Sequence, residues 1–546
     1  MFDLPELDNV VCQYLDPHDL VQCACVCRKW HAIAIPHIWG DLSRFHSNSK
    51  QGPVLHSLVL QDYLDEHQRN LQGNDHLTEQ DSQPQASPPL SALSKYCPLI
   101  RTLPDPVHFI RQLRTYTGQD KDPSALELLF HFLKYCSPEV QVERSFIFLD
   151  SDSDDAKSVR DFALPRTRKL FVTVPCCTSQ SELLMLKSLM SKCSSNLVYL
   201  NLIVGIECKN DEEEEPTTNE GWTSLNMLSV RRYTDTPNNK LFWSWVLKRC
   251  SWVETFHLDE VHGNEQDLVE SMLTHMPRLR EIGLGYRPDE TDWITDDQVA
   301  ALLSGSRNGW KTVTLKSSTR FGKAAMDALT THFSTLGRLE IRGCDNSLSS
   351  SDLVQVLRCC TNLHTFETTD IYSEDTSCCS QFDANVFIDL DAETGSLKPW
   401  KCEGYLRNLT TTIVGIPRPD LTGDHVIKEA YAGQGREIQG RVYDRLAQLA
   451  NLQSLWLGDD STGNESRCLE MSLESGLGKL AGLQSLEELG VCGLVTNIGV
   501  KEVQWMAEHW PKLRIIFGLD GEGSGKEAVG WLRDNRPEID VRKTSW

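Results

Sequence analysis

The pattern L-x-x-L-x-L, with other apolar residues substituting, recurs along this 546-residue chain and constrains its fold more than any other feature. It reads Leu197/Leu200/Leu202, Leu225/Leu228/Val230, Val253/Phe256/Leu258, Leu279/Ile282/Leu284, Trp310/Val313/Leu315 and Leu336/Leu339/Ile341. The last members are spaced by 28, 28, 26, 31 and 26 residues. Leu452/Leu455/Leu457 and Leu486/Leu489/Val491 are later copies, and Leu55/Leu58/Leu60 is an isolated early one. Leu363/Phe366 and Leu513/Ile516 are partial, with a polar residue or glycine in the last slot. Apolar residues two apart share one face of a strand. Amphipathic stretches of helical length precede the copies: Leu241 to Cys250, Leu268 to Met276, Leu353 to Cys360, Val442 to Leu449 and Val503 to Trp510. Three residues ahead of the motif stand Cys97, Cys250, Met276, Cys360 and Trp510, a slot suited to a helix end tucked against the next strand. Each unit buries its leucines only against its neighbours, so the units must stack.

A helix plus a short strand at this period resembles a leucine-rich repeat. The resemblance covers residues 91–546, most clearly from 160 onward. It implies an α/β solenoid, curved, with parallel strands on the concave side and helices on the convex side. The expected organisation is a solenoid over 96–546 with insertions at 205–221 and 370–400. The first holds the acidic run Asp211 to Glu215, the second Ser373-Glu374-Asp375. Ile416-Pro417-Arg418-Pro419-Asp420 marks a further extended loop. Residues 46–95 read as a linker whose part 66–90, rich in Gln, Asn, Asp, Ser and Pro, is expected to be disordered.

The first forty-five residues differ. They contain Leu4-Pro5-Glu6-Leu7, Val10-Val11, Tyr14-Leu15-Asp16, Asp19-Leu20, Val26-Cys27-Arg28-Lys29-Trp30 and Ile38-Trp39. Asp16-Pro17 followed by Asp19 is a helix start: a capping carboxylate, a first-turn proline and a second acid near the positive helix end. Leu20, Ala24 and Cys27, and Val26, Trp30 and Ile33, then recur at helical steps on two apolar faces. So short a module cannot bury both alone, and a partner must cover the rest. The segment resembles an F-box, with one residue fewer than most F-boxes between Leu-Pro and the first helix. The resemblance implies docking to a Skp-type adaptor, and through it a cullin, by Leu4, Pro5, Leu7, Val11, Leu15 and Leu20. Trp30 would hold the module's own core.

Composition narrows the functional classes. A formal charge of −23 argues against a nucleic-acid binder, which needs a basic stripe. No apolar run approaches the roughly 20 residues that span a bilayer, and no signal peptide opens the sequence. Nineteen cysteines, an odd number, read as reduced thiols in the cytoplasm, the nucleus or both. Cys23, Cys25 and Cys27 lie two apart, so on a helix they cannot converge on one metal. Gly521-Glu522-Gly523-Ser524-Gly525-Lys526 hints at a phosphate loop, but Asp520 and Glu527 stand where that motif needs glycine and a hydroxyl. No catalytic motif is present, and no enzyme activity, cofactor or metal is expected.

In a leucine-rich repeat the residues between and just after the strand leucines face the concave side. Arg231, Lys316, Arg338 and Arg342 then put positive charge on the inner face, suited to an acidic or phosphorylated protein segment. Trp456 and Phe517 fall in slots expected to be exposed, where they would anchor it. The expected function is substrate recognition for an SCF-type ubiquitin ligase. The alternative is a repeat scaffold that never joins a ligase.

Overall fold

The structure is a computed structural model. It describes residues 12, 15, 23, 30, 33 and 34 of the N-terminal segment, strands Thr102–Leu103 and Gln141–Phe148, and most of the chain from 167 to 542. The chain forms two compact units: residues 1–229 with 236–252, and 230–235 with 253–546.

In the first unit, β1 (Thr102–Leu103), β2 (Gln141–Phe148), β3 (Thr167–Cys177) and β4 (Tyr199–Ile206) pair in parallel, in chain order. β5 (Met227–Thr234) is divided between the units. Helix α1 (Pro237–Leu247) buries Phe242, Trp243 and Trp245. Trp222 meets Trp245 edge-on at 5.8 Å, and the Arg249 guanidinium covers the Trp245 ring at 4.3 Å.

The second unit is the repeat array. Its strands are β6 (Thr255–His262), β7 (Glu281–Tyr286), β8 (Thr312–Leu315), β9 (Arg338–Ile341), β10 (Thr365–Glu367), β11 (Gln381–Asp383), β12 (Asn408–Val414), β13 (Ser454–Leu457), β14 (Glu470–Met471), β15 (Glu488–Gly490), β16 (Val495–Thr496), β17 (Ile515–Phe517) and β18 (Asp540–Arg542). The order β6-β7-β8-β9-β10-β12-β13-β15-β17-β18 is parallel throughout. β11 pairs with the far end of β12, and β14 with β16. The helices are α2 (Gln266–His275), α3 (Asp296–Ser304), α4 (Lys323–Thr330), α5 (Ser350–Cys359), α6 (Ala384–Ile388), α7 (His425–Ala447), α8 (Val500–His509) and α9 (Gly523–Asn535).

The leucine motif sets this register. Phe256, Ile282, Val313, Leu339, Phe366, Leu409, Leu455, Leu489 and Ile516 pair residue for residue across nine strands, and all are buried. The helix-end slot behaves as expected: Cys250, Met276, Cys360 and Trp510 are buried, while Cys97 lies outside the described residues. Burial pushes the Cys250 and Cys360 thiols well up and that of Cys402 to about 12, so all three stay protonated fillers.

Local capping adds a link between repeats. Thr295 and Ser349 cap α3 and α5 with reciprocal boxes to Gln298 and Asp352. Asp296, in the first turn of α3, also accepts from the backbone N–H groups of Gly322, Ala324 and Ala325 at the start of α4. One carboxylate thereby closes the N-terminus of the next repeat's helix.

The structure adds three features to the sequence reading. Within the stretch 370–400, residues 381–400 carry β11, α6 and a turn, and α6 is capped by Asp383. A further repeat lies at Leu406/Leu409/Thr411, where threonine fills the last apolar slot of the motif. Thr411 is nevertheless buried, and its hydroxyl meets that of Thr368, the polar last slot of the preceding repeat, at 3.0 Å. Two adjacent polar substitutions satisfy each other inside an apolar column. Finally, α7 is 23 residues long and starts well ahead of Val442. Gly433, Gly435 and Gly440 obscured it, since glycine weakens the local helical signal.

Candidate functional site

The strand face away from the apolar column presents one set of alternating residues. Read along the first strand position it runs Thr255, Glu281, Thr312, Arg338, Thr365, Asn408, Ser454, Glu488. Two residues on it runs His257, Gly283, Thr314, Glu340, Glu367, Thr410, Trp456, Gly490. Arg231 is exposed on β5, and Lys316 is half-buried just past β8.

Arg338 and Arg342 do not form an open positive patch. Glu340, itself buried, accepts from Arg338 and faces Arg342 at 3.4 Å; Arg342 also pairs with Glu367. Glu340 and Glu367 are directly opposite in register, an arrangement that two like charges hold only with cations on both sides. Burial raises the Glu367 carboxyl above its ordinary range, with Arg342 opposing and Glu340 reinforcing the shift.

Two rings lie flat on this face because the neighbouring strand offers glycine. A Cβ on Gly283 would come within 2.5 Å of the His257 ring, and one on Gly490 within 2.2 Å of Trp456. Trp456 therefore crosses Gly490 to meet Phe517, at 4.3 Å between ring centres. Its Nε1 donates to Ser454, and Arg542 sits over the Phe517 ring at 5.4 Å. Trp456 is 7% exposed, not the open aromatic expected, because this lateral packing covers it. Burial lowers the His257 pKa, against the pull of Asp259 and Glu281.

Sequence reasoning missed a buried polar network behind the strands. Arg445 of α7 is wholly buried and reads in sequence as one more helix-surface cation. It donates to the Ile388 carbonyl at 2.8 Å and to Glu403 at 3.0 Å, with its guanidinium over Trp400 at 4.4 Å. Asp389 accepts from Arg358 (Nε, 3.0 Å) and from Trp400 Nε1 at 3.2 Å. Its φ of 53° places it in the left-handed region at the end of α6.

In the N-terminal segment Cys12 and Ala34 form a buried pair, against which Leu15, Cys23, Trp30 and Ile33 pack. Trp30 and Cys23 thus serve the module's interior, as read from the sequence. Leu15 packs there too and is half-buried. Leu4, Pro5, Leu7, Val11 and Leu20 lie outside the described residues. Among the described residues no helix is long and apolar enough to cross a membrane.

Residues 10–44 match the F-box-like family model. No curated protein matches the sequence. Among solved structures, the chain is similar to the yeast complex of Rad7 and Elc1, with 13% identity over 74% of this chain and 75% of that one and a TM-score of 0.38. It is also similar to the leucine-rich repeat-containing protein LegL7 of Legionella pneumophila, with 10% identity over 62% of this chain and 97% of that one and a TM-score of 0.27. The chain carries an F-box-like segment at residues 10–44 and, over 253–546, an α/β array of stacked strand-and-helix repeats with a parallel sheet.

Proposed function

We propose that this chain is the substrate-recognition subunit of an SCF-type ubiquitin ligase. The observation that carries the reading is the F-box-like match at residues 10–44, joined to a parallel repeat array. The N-terminal segment binds a Skp-type adaptor, and through it a cullin, using Leu4, Pro5, Leu7, Val11, Leu15 and Leu20. The array holds a client protein against Arg231, Lys316, Arg338, Arg342 and Phe517, with the covered Trp456 ring backing Phe517. Because Glu340 and Glu367 neutralise two of these arginines, contact there is by directed hydrogen bonds rather than net charge. No catalytic group is required: the receptor raises the effective concentration of client lysines near the ubiquitin-loaded enzyme.

Co-purification with a Skp-type adaptor tests the reading. The intact chain captures the adaptor at micromolar concentration. Changing Leu4 and Pro5 to alanine abolishes capture while leaving the thermal transition of the repeats unchanged. An intact chain that ignores the adaptor refutes the ligase role.

A further inference from the structure

A run of basic residues lies at the leading edge of strands β7 to β12. The residues just ahead of β7, β8, β9, β10 and β12 are Arg280, Lys311, Gly337, His364 and Arg407. They form one continuous backbone ladder: Lys311 N–H donates to Arg280 at 2.7 Å, Gly337 to Lys311 at 2.8 Å, His364 to Gly337 at 2.8 Å and Arg407 to His364 at 2.9 Å. Glu254 precedes this run on the ladder, and Gln453 and Glu487 follow it.

The helix-to-strand loops of these five repeats hold Arg278, Arg280, Arg307, Lys311, Lys398, Lys401 and Arg407. Their acids all lie in the loop before β12, where Asp389 pairs with Arg358, Asp391 accepts from its own loop's N–H groups, Glu403 is turned onto the buried Arg445 and Glu393 is exposed. All of these cations but Arg280 and Lys398 are exposed. Lys311 and Arg407 have no ion-pair partner among the described residues, in a chain with 77 acidic and 54 basic residues. His364 registers the field: burial first, then Arg338 and Arg407, lower its pKa. Tyr405, 58% exposed and the most open large apolar side chain among the described residues, sits in the same edge.

We propose that this edge, from β7 to β12, docks an acidic peptide segment that carries one apolar or aromatic side chain. Five strands at about 4.8 Å spacing offer roughly 19 Å of edge, which an extended peptide covers with about six residues. The cations pair with its carboxylates and Tyr405 supplies the anchor. A protein segment fits better than nucleic acid, because the run is short, ends in Glu254 and Glu487, and belongs to a strongly acidic molecule that repels a long polyanion. The proposal rests on the array being the client-binding part but not on the F-box-like segment.

Fluorescence anisotropy on the full chain tests it. The probes are a labelled eight-residue oligoglutamate with one central phenylalanine and an oligothymidylate of equal charge. The expected result is peptide binding that weakens with salt, falls about tenfold or more in the double variant Lys311→Glu/Arg407→Glu, and changes little in Arg441→Glu, an exposed cation on α7. Tyr405→Ala lowers affinity for the phenylalanine peptide but not for plain oligoglutamate. Affinity untouched by the double variant, or preference for the oligothymidylate, overturns the proposal. Adaptor capture by the same preparations reads the ligase assignment separately, so either idea can fail alone.

Discussion

Arg445 shows how much a single residue can carry without announcing itself. Its guanidinium joins α7 to the end of α6 and to the loop before β12, through carbonyls 56 and 57 residues away in sequence. Burial draws its pKa down, with Glu403 and Asp389 opposing, and the hydrogen bonds keep the charge tolerable. Arg445→Ala leaves Glu403 and the Ile388 carbonyl facing a hole. Chemical denaturation is expected to show a loss of about 3–5 kcal/mol. A loss under about 1 kcal/mol would mean that water replaces the network. Residue type and spacing could not reveal this role, because the partners belong to another repeat. By contrast, the cysteine slot was legible: a compact apolar residue at a fixed offset from the strand needs only local geometry.

At the scale of the element, the unit is one strand and one helix, and its defects are corrected by the next unit. Thr368 and Thr411 occupy the last leucine slot of adjacent strands and bond to each other. Thr368→Val alone strands the Thr411 hydroxyl and is expected to cost about 1–3 kcal/mol, whereas Thr368→Val with Thr411→Val is close to neutral. The coupling is read from a double-mutant cycle of urea midpoints; additive losses would show that the two hydroxyls act independently. The repeat at Leu406 was illegible for the same reason that it is stable. A threonine in an apolar slot looks like a broken motif until its neighbour is seen to carry the same break. The flat rings of His257 and Trp456 follow this rule as well: each needs a glycine one strand on. The sequence pattern placed Trp456 on the open face, but the lateral tilt of both rings depends on Gly283 and Gly490.

At the scale of the molecule, an array bound by nearest-neighbour contacts loses most when an interior unit is damaged. Leu339 is enclosed by strands on both sides, while Val541 on β18 has a neighbour on one side and is half-buried. Leu339→Ala is expected to cost about 2–5 kcal/mol and Val541→Ala about 1 kcal/mol or less, measured by urea unfolding. Equal costs would contradict a nearest-neighbour array. Charge follows a similar logic of scale. The chain is acidic as a whole, yet the paired Arg338 of the strand face and the edge cations Lys311 and Arg407 differ by one residue of register. Arg338 begins β9 and is paired, whereas Lys311 and Arg407 stand just ahead of their strands.

The sequence by itself determined the repeat, its period, its α/β class, the identity of the buried column and the F-box-like start. Each of these is written in side chains that act within one unit or against the same position of the next, so periodicity suffices. Only the tertiary structure decided that Arg338 and Arg342 are neutralised, that Trp456 lies covered on Gly490, that Arg445 is a core residue, and that Lys311 and Arg407 share one edge. Those outcomes depend on which side chain of one repeat meets which of another. That distance is set by packing and register, and no local pattern encodes it.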